Sequence, residues 1–181
     1  NQIHFEKCQN MIRNLVDNGL IYGLGVSLVK PTKKFINLVK QYPNAVIHTI
    51  NGILIKSDIE MLADNGLKML ILGYKNLRRG NEYYETEKNN ITDKQHWLYE
   101  NLESIIPKFE VVSFDNLALE QLNVKRLLTE EEWSEFFMGE DGNFTFYLDL
   151  VEGTFGKNSL ATKRYFIMDN IDDMFQKILS E

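Results

Sequence analysis

Cysteine and proline are scarce in this chain of 181 residues, which has one cysteine, Cys8, and three prolines. A single cysteine excludes an internal disulfide framework, and it excludes a multi-cysteine metal site made by these residues alone. No apolar run approaches the roughly 20 residues that a membrane-spanning helix needs, and no charged-then-apolar leader opens the sequence. We therefore expect a cytoplasmic protein in a reducing compartment, with no membrane partner.

Positive charge is also in deficit, because the formal net charge is -6. Nucleic-acid-binding proteins normally carry a concentrated basic face, so we expect no nucleic-acid partner. At 44% hydrophobic residues, the chain can bury one substantial core.

What the sequence does contain is a repeated helix-to-strand unit. The stretch DNGL occurs twice, at residues 17–20 and 64–67, each time after a helical apolar stripe and before an apolar run. Glycine closes a helix at its carboxyl end because it tolerates the left-handed conformation. Three nearly continuous apolar runs then predict strands buried in a parallel sheet: YGLGVSLV, AVIHTING and KMLILGYK.

The second half of the chain is less regular. Residues 76–91 are polar and aperiodic and predict a long surface loop, before a helix and the strand EVVSFDN. Beyond residue 116, alternating residues in FTFYLDLV predict an antiparallel strand, and residues 171–179 predict a helix. We expect a single domain with residues 1–116 forming a β/α part and residues 117–181 forming an α+β extension.

Polar residues interrupt the apolar runs near the ends of the predicted strands. Ser27 lies near the carboxyl end of the first strand, His48 and Thr49 lie in the second, and Asn51 precedes Gly52 at its end. Ligands gather at the carboxyl ends of parallel strands, so a cofactor contact here is one interpretation. A hydrogen-bonded sheet histidine is the other interpretation for His48.

Taken together, the blocks YGLGVSLV, NAVIHTING, DNGLKMLILGYKN, FDNLALEQL and DGNFTFYLDLVEGTFGKNS resemble the second half of a radical S-adenosylmethionine (SAM) enzyme. The resemblance implies a partial TIM-like β/α barrel that binds SAM and a 4Fe-4S cluster. It implies that Ser27 lies near the ribose or carboxylate of the cofactor. It implies that the residues near the adenosyl group are His48, Thr49, Asn51 and Gly52. It also implies that the end of the next strand is lined by Gly73, Tyr74 and Lys75.

The cluster-binding C-x3-C-x2-C loop of that family is missing from these 181 residues. We therefore expect a fragment of a longer enzyme, as a first residue other than Met suggests, with no catalytic activity of its own. The substrate and the catalytic residues are not identified. The alternatives are a non-catalytic α/β binding or scaffold module and a self-contained doubly wound α/β enzyme. A half-barrel would also expose a sheet edge, through which we expect self-association.

Overall fold

Alternation of helix and strand organises the first part of the chain. The computed structural model describes residues 1–77 and 79–180, and of Arg79 only the backbone. These residues form two compact units, Asn1–Leu127 and Leu128–Glu181. That the two units act as one domain stays a prediction.

In the described part of the first unit, strands form a four-stranded parallel sheet in the sequential order β1-β2-β3-β4. The strands are β1 Leu24–Ser27, β2 Ala45–Ile50, β3 Lys68–Leu72 and β4 Val111–Phe114. The helices are α1 Gln2–Lys7, α2 Gln9–Asp17, α3 Lys33–Val39, α4 Lys56–Leu62, α5 Arg79–Ile105 and α6 Asn116–Leu122. The expectation of an α/β fold with parallel strands alternating with helices is confirmed.

The strand order decides which sheet face the helices cover. Crossovers between parallel strands are right-handed, so an order that never reverses puts α3, α4 and α5 on the same face. The strand residues of that face are accordingly buried, with Ile47, Met69 and Ile71 all at 0% exposure. They pack with Phe35, Leu62 and other helix residues in one apolar core.

The opposite sheet face is not covered by α3, α4 or α5, and we call it the open face. Its side chains are half-buried or exposed, as Ile50 at 41% and Val111 at 44% show. Strand alternation and register assign the following residues to it: Gly25, Ser27, Val46, His48, Ile50, Lys68, Leu70, Leu72, Val111 and Ser113.

Both glycines of the repeated DNGL stretch have the predicted left-handed conformation. Gly19 has φ +67° and Gly66 has φ +64°, and no atom lies within 4 Å of where a Cβ would stand at either. α2 ends at Asp17, directly before the first of these turns. Backbone conformation alone therefore requires glycine at both positions.

The predicted loop at residues 76–91 is wrong, because α5 already begins at Arg79. A non-helical residue, Glu87 with φ -120°, divides this long helix. Its polar first part packs through the Tyr84 ring, which lies 6.0 Å from the ring of Tyr74. This tertiary contact stabilises turns whose sequence has no apolar stripe.

The second unit contains a small antiparallel sheet and two helices. The elements are α7 Glu130–Phe136, β5 Tyr147–Asp149, β6 Thr154–Gly156, β7 Tyr165–Phe166 and α8 Ile171–Leu179. Phe155, Met174 and Ile178 form its buried core, with Phe146 and Tyr165 packed against it. The predicted α+β character of this part is confirmed. No helix in the described ranges has both the length and the apolar character to cross a membrane.

We predict that Gly66→Ala lowers the free energy of unfolding by about 1 kcal/mol. Alanine is strained in the left-handed conformation, although its Cβ would contact no other atom. Gly66→Asn should lose less, because asparagine tolerates this conformation better. Urea unfolding of the three proteins measures both values. An alanine variant as stable as the wild type would contradict the assigned turn.

Candidate functional site

A pocket opens at the carboxyl ends of the first three strands. Its volume is about 90 Å³. Strand residues and residues of the loops that follow form its wall: Ser27, Leu28, Val29, His48, Thr49, Ile50, Ile53, Leu54, Asp58 and Leu72. Three of the residues predicted from the sequence, Ser27, His48 and Thr49, therefore line one pocket.

The imidazole of His48 lies across the backbone of Gly25 on the open face. A Cβ at Gly25 would stand 2.5 Å from His48 Cε1 and 2.7 Å from Nε2. Glycine is thus required in β1 because a neighbouring ring occupies its side-chain space. Among the described residues the imidazole has no hydrogen-bond partner.

Burial lowers the pKa of His48 below its ordinary value, because desolvation disfavours the charged imidazolium. At neutral pH the ring is therefore neutral, and one ring nitrogen is an acceptor while the other is a donor. His48 also pairs in register with Ser27 of β1, whose hydroxyl adds a further donor and acceptor beside it.

Asp58 is a pocket residue that the sequence analysis did not identify. It lies in the first turn of α4, where its carboxylate accepts the Ile55 N–H at 3.4 Å. Burial raises the pKa of Asp58, and this outweighs the opposite effects of the Ile55 N–H, Lys30 and Lys94. Carboxylate, imidazole and hydroxyl groups therefore share a small, partly desolvated space.

A second group of polar residues connects the ends of β2 and β3 to α6, and we call it the junction. The Asp115 carboxylate accepts the N–H of Gly73 at 2.8 Å and caps α6 by accepting the N–H of Ala118 at 2.8 Å. Asp115 is thus the N-cap of α6.

Gln121 of α6 supplies the rest of the junction. Its Oε1 accepts the Tyr74 N–H at 2.9 Å, and its Nε2 donates to the Tyr74 carbonyl at 2.9 Å. These two bonds fix the orientation of the amide. Gln121 Oε1 also accepts Nδ2 of Asn51 at 3.0 Å, which in turn fixes the orientation of the asparagine.

Asn51 has one polar atom without a partner. Its side chain is 1% exposed, and its Oδ1 has no hydrogen-bond partner among the described residues. A buried acceptor of this kind costs about 1 to 3 kcal/mol unless a donor reaches it. Asn51 does not line the pocket, so it marks a separate position at the end of β2 where a donor would be stabilised.

Of the other predicted residues, Gly52, Gly73 and Tyr74 serve the packing of this unit. A Cβ at Gly52, which has φ +91°, would lie 2.8 Å from the Ile91 side chain. A Cβ at Gly73 would clash with the Leu117 side chain, whose Cβ would be 2.7 Å away, and would lie 2.8 Å from the Ala118 nitrogen. Tyr74 is buried and donates its hydroxyl to the Gly80 carbonyl at 2.7 Å. Lys75 is exposed.

Burial is the largest cause of the raised pKa of the Tyr74 hydroxyl, and Tyr83 and Tyr84 add to it. The hydroxyl therefore stays protonated and remains a donor to the Gly80 carbonyl. Tyr74 thus connects the end of β3 to the beginning of α5 through its side chain and to α6 through its backbone.

The pocket is small for a complete cofactor, because pockets for drug-sized ligands have about 300 to 1,000 Å³. It has room for a fragment that carries a few polar groups. No group of three or more His, Cys, Asp or Glu residues that could hold a metal ion occurs in the described ranges. Neither a protein-family model, nor a curated protein, nor a solved structure matches the chain.

We predict that His48 titrates below about pH 6.5 in the folded protein, the ordinary value to which it returns on unfolding. Since the unfolded chain binds this proton more readily, the contribution to stability is complete above that pH and decreases as the pH falls. NMR titration of the imidazole signals in buffer and in urea measures both values. A folded value at or above the unfolded one would contradict the burial assigned to His48.

We also predict that Gln121→Ala lowers the free energy of unfolding by about 2 kcal/mol, because it leaves junction donors and the Tyr74 carbonyl unpaired. Gln121→Glu keeps the oxygen acceptor for Asn51 and the Tyr74 N–H but sets a carboxylate oxygen against the Tyr74 carbonyl, so it should also be less stable than the wild type. Urea unfolding compares both variants with the wild type. Wild-type stability in Gln121→Ala would show that this side chain does not stabilise the junction.

Proposed function

We propose that the chain is part of a β/α barrel that binds a small molecule at the carboxyl ends of β1 to β3. The sheet supports this proposal, because its sequential order leaves one face open opposite a continuous helix layer. In a barrel that open face is the interior, filled by side chains from the other strands. The pocket lies at the end of the strands where barrel enzymes bind their ligands.

From the sequence resemblance we further propose that the ligand is SAM and that the chain is the C-terminal part of a radical SAM enzyme. The donor set fits part of SAM. The Ser27 hydroxyl and neutral His48 are suited to ribose hydroxyls, and the unpaired Asn51 oxygen is suited to an N–H donor. SAM held by these residues would supply the radical chemistry that the resemblance implies.

The residues of this chain do not fit the 4Fe-4S cluster itself. The chain has a single cysteine, and Cys8 lies between α1 and α2, far in sequence from the pocket residues. Cluster ligands would have to come from a preceding cysteine-bearing half. In this proposal the present residues bind and orient SAM and take no part in holding iron.

A non-catalytic binding or scaffold module is the second candidate, and one feature of the second unit favours it. Three large apolar side chains at and near the turn between β5 and β6 are strongly exposed: Leu150 at 82%, Val151 at 86% and Phe166 at 83%. The Asp149 carboxylate accepts the N–H groups of Val151 and Glu152, each at 3.1 Å, and so stabilises this turn. An ordered apolar tip is suited to contact a protein partner.

The first test is to read the coding sequence upstream of Asn1 for C-x3-C-x2-C and to express the whole product without oxygen, supplied with iron and sulfide. SAM affinity is then measured by equilibrium dialysis. We predict that Ser27→Ala weakens binding about tenfold, as expected for a lost hydrogen bond of about 1.4 kcal/mol.

Ser57→Ala is the matched control, since Ser57 is exposed on α4 and does not line the pocket. Its SAM affinity should equal that of the wild type. Unchanged affinity in Ser27→Ala would remove the assigned SAM contact. Absence of a cysteine motif, together with no SAM binding, would rule out the SAM proposal and favour the scaffold function. A pull-down that compares the wild type with a Leu150→Ser variant then tests that function.

A further inference from the structure

The loop between β1 and α3 forms one wall of the pocket. Leu28 and Val29 of this loop line the pocket directly after Ser27. Leu28 is still held by the sheet, because its N–H donates to the His48 carbonyl at 2.9 Å. Val29 is not held by packing, since its side chain is 62% exposed. The position of this part of the wall is therefore set by the backbone of the loop.

One side chain of α1, Gln2, bonds this loop backbone. Its Oε1 accepts the N–H of Val29 and the N–H of Lys30, each at 2.9 Å. Its Nε2 donates to the Lys30 carbonyl at 2.7 Å and to Glu6 Oε1 at 2.9 Å. A side-chain amide has two donor hydrogens and two acceptor lone pairs. All four are therefore used, and the hydrogen bonds fix the orientation of the amide.

Gln2 is buried although it is polar and lies in the first turn of a short helix. Its exposure is 6%. An amide buried without hydrogen bonds would cost free energy, so the contacts with the loop are what make this position suitable for glutamine. Three of its four bonds reach a segment 27 or 28 residues further along the chain. Gln2 therefore serves a long-range contact more than it serves α1 itself.

The packing of α1 gives Gln2 a fixed position. Phe5, one turn after Gln2 in α1, is 4% exposed. Its ring centroid lies 6.1 Å from that of Phe35 in α3 and 5.7 Å from that of Tyr42 just beyond α3. Buried aromatic contacts of this kind make large contributions to packing. They hold α1 against the α3 segment without any contribution from the loop.

We propose that Gln2 is a positioning residue for the pocket. It holds the β1–α3 loop where Leu28 and Val29 form a wall beside the ends of β2 and β3. Gln2 does not line the pocket, so it acts through the loop. A loop bonded to water instead would sample many positions, and a ligand would have to order it on binding. By holding the loop in advance, Gln2 increases the affinity for the ligand.

The same contact affects the charge around the pocket. Burial raises the pKa of the pocket residue Asp58, and the Lys30 ammonium is one of the groups that oppose this effect. Gln2 bonds both the N–H and the carbonyl of Lys30, so it fixes the backbone from which this ammonium extends. Gln2 therefore positions a charge as well as an apolar wall.

The first experiment is hydrogen exchange of the 181-residue chain, which needs no ligand. In the wild type the N–H groups of Val29 and Lys30 should be protected, because their acceptor is a buried side chain. Gln2→Met replaces the amide by an apolar side chain of similar length. The exchange of both N–H groups should then become about tenfold faster or more, as expected for a lost hydrogen bond.

Gln9→Met is the matched control. Gln9 is half-buried and also bonds across elements, because its Oε1 accepts the Tyr42 hydroxyl at 2.9 Å and its Nε2 donates to the Phe5 carbonyl at 2.6 Å. These bonds do not involve the β1–α3 loop. Gln9→Met should therefore lower the free energy of unfolding and leave the exchange of Val29 and Lys30 unchanged.

A second measurement follows the pocket itself. Loosening of the loop admits water beside His48, so the pKa of His48 should rise towards its ordinary value in Gln2→Met but not in Gln9→Met. NMR titration of the imidazole signals measures this change. In the longer protein, Gln2→Met should weaken SAM binding about tenfold, and Gln9→Met should not. This last measurement alone rests on the proposed function.

We expect Gln2→Met to remain folded, because water can bond the surface loop when the amide is lost, and circular dichroism checks this. The inference would be overturned by wild-type N–H groups of Val29 and Lys30 that exchange as fast as those of an unstructured peptide, a result that needs no variant. Unchanged exchange or an unchanged His48 pKa in Gln2→Met, or the same changes in Gln9→Met, would also overturn it. A wild type that fails to bind SAM would contradict the proposed function, while exchange and titration still decide the role of Gln2.

Discussion

The sequential order of the parallel strands is the constraint on which the first unit depends. Right-handed crossovers then put each connecting helix on the same face, so a single core forms between the sheet and α3, α4 and α5. Reversal of the order would have covered both faces and placed a ligand crevice at the point of reversal. Without a reversal, the ends of the strands and the open face are the available sites. The pocket lies at the first of these two places.

The junction explains how the strand ends remain ordered beside an open face. Asp115 and Gln121 from the β4–α6 segment together bond backbone groups of Gly73 and Tyr74 and the side chain of Asn51. Strand ends that would otherwise present free N–H and C=O groups are thus paired across elements distant in sequence. The cost is that most junction groups are no longer available to a ligand. Asn51 Oδ1 is the described exception.

Local signals predicted much of this fold, and long-range contacts account for what they missed. The Asn-Gly turns and the apolar runs marked the strands because both are properties of a few adjacent residues. Apolarity alone overestimated the first strand, since Tyr22 and Val29 are 89% and 62% exposed outside β1. The early turns of α5 depend on the Tyr74–Tyr84 contact, and Asp58 joins Ser27 and His48 only through the packing of α4. Neither contact leaves a periodic signal in the sequence.

The small pocket and the open face share residues. Ser27, His48 and Ile50 belong to the open face and also line the pocket, so whatever covers that face changes the pocket wall. A ligand that contacts both the pocket residues and the residues that cover the open face binds the covered form more tightly than the uncovered one. By linkage, that ligand must then stabilise the covering by the same factor. The pocket of about 90 Å³ would therefore be one side of a larger site once the open face is covered. The size of the ligand that binds would show whether this cover is present.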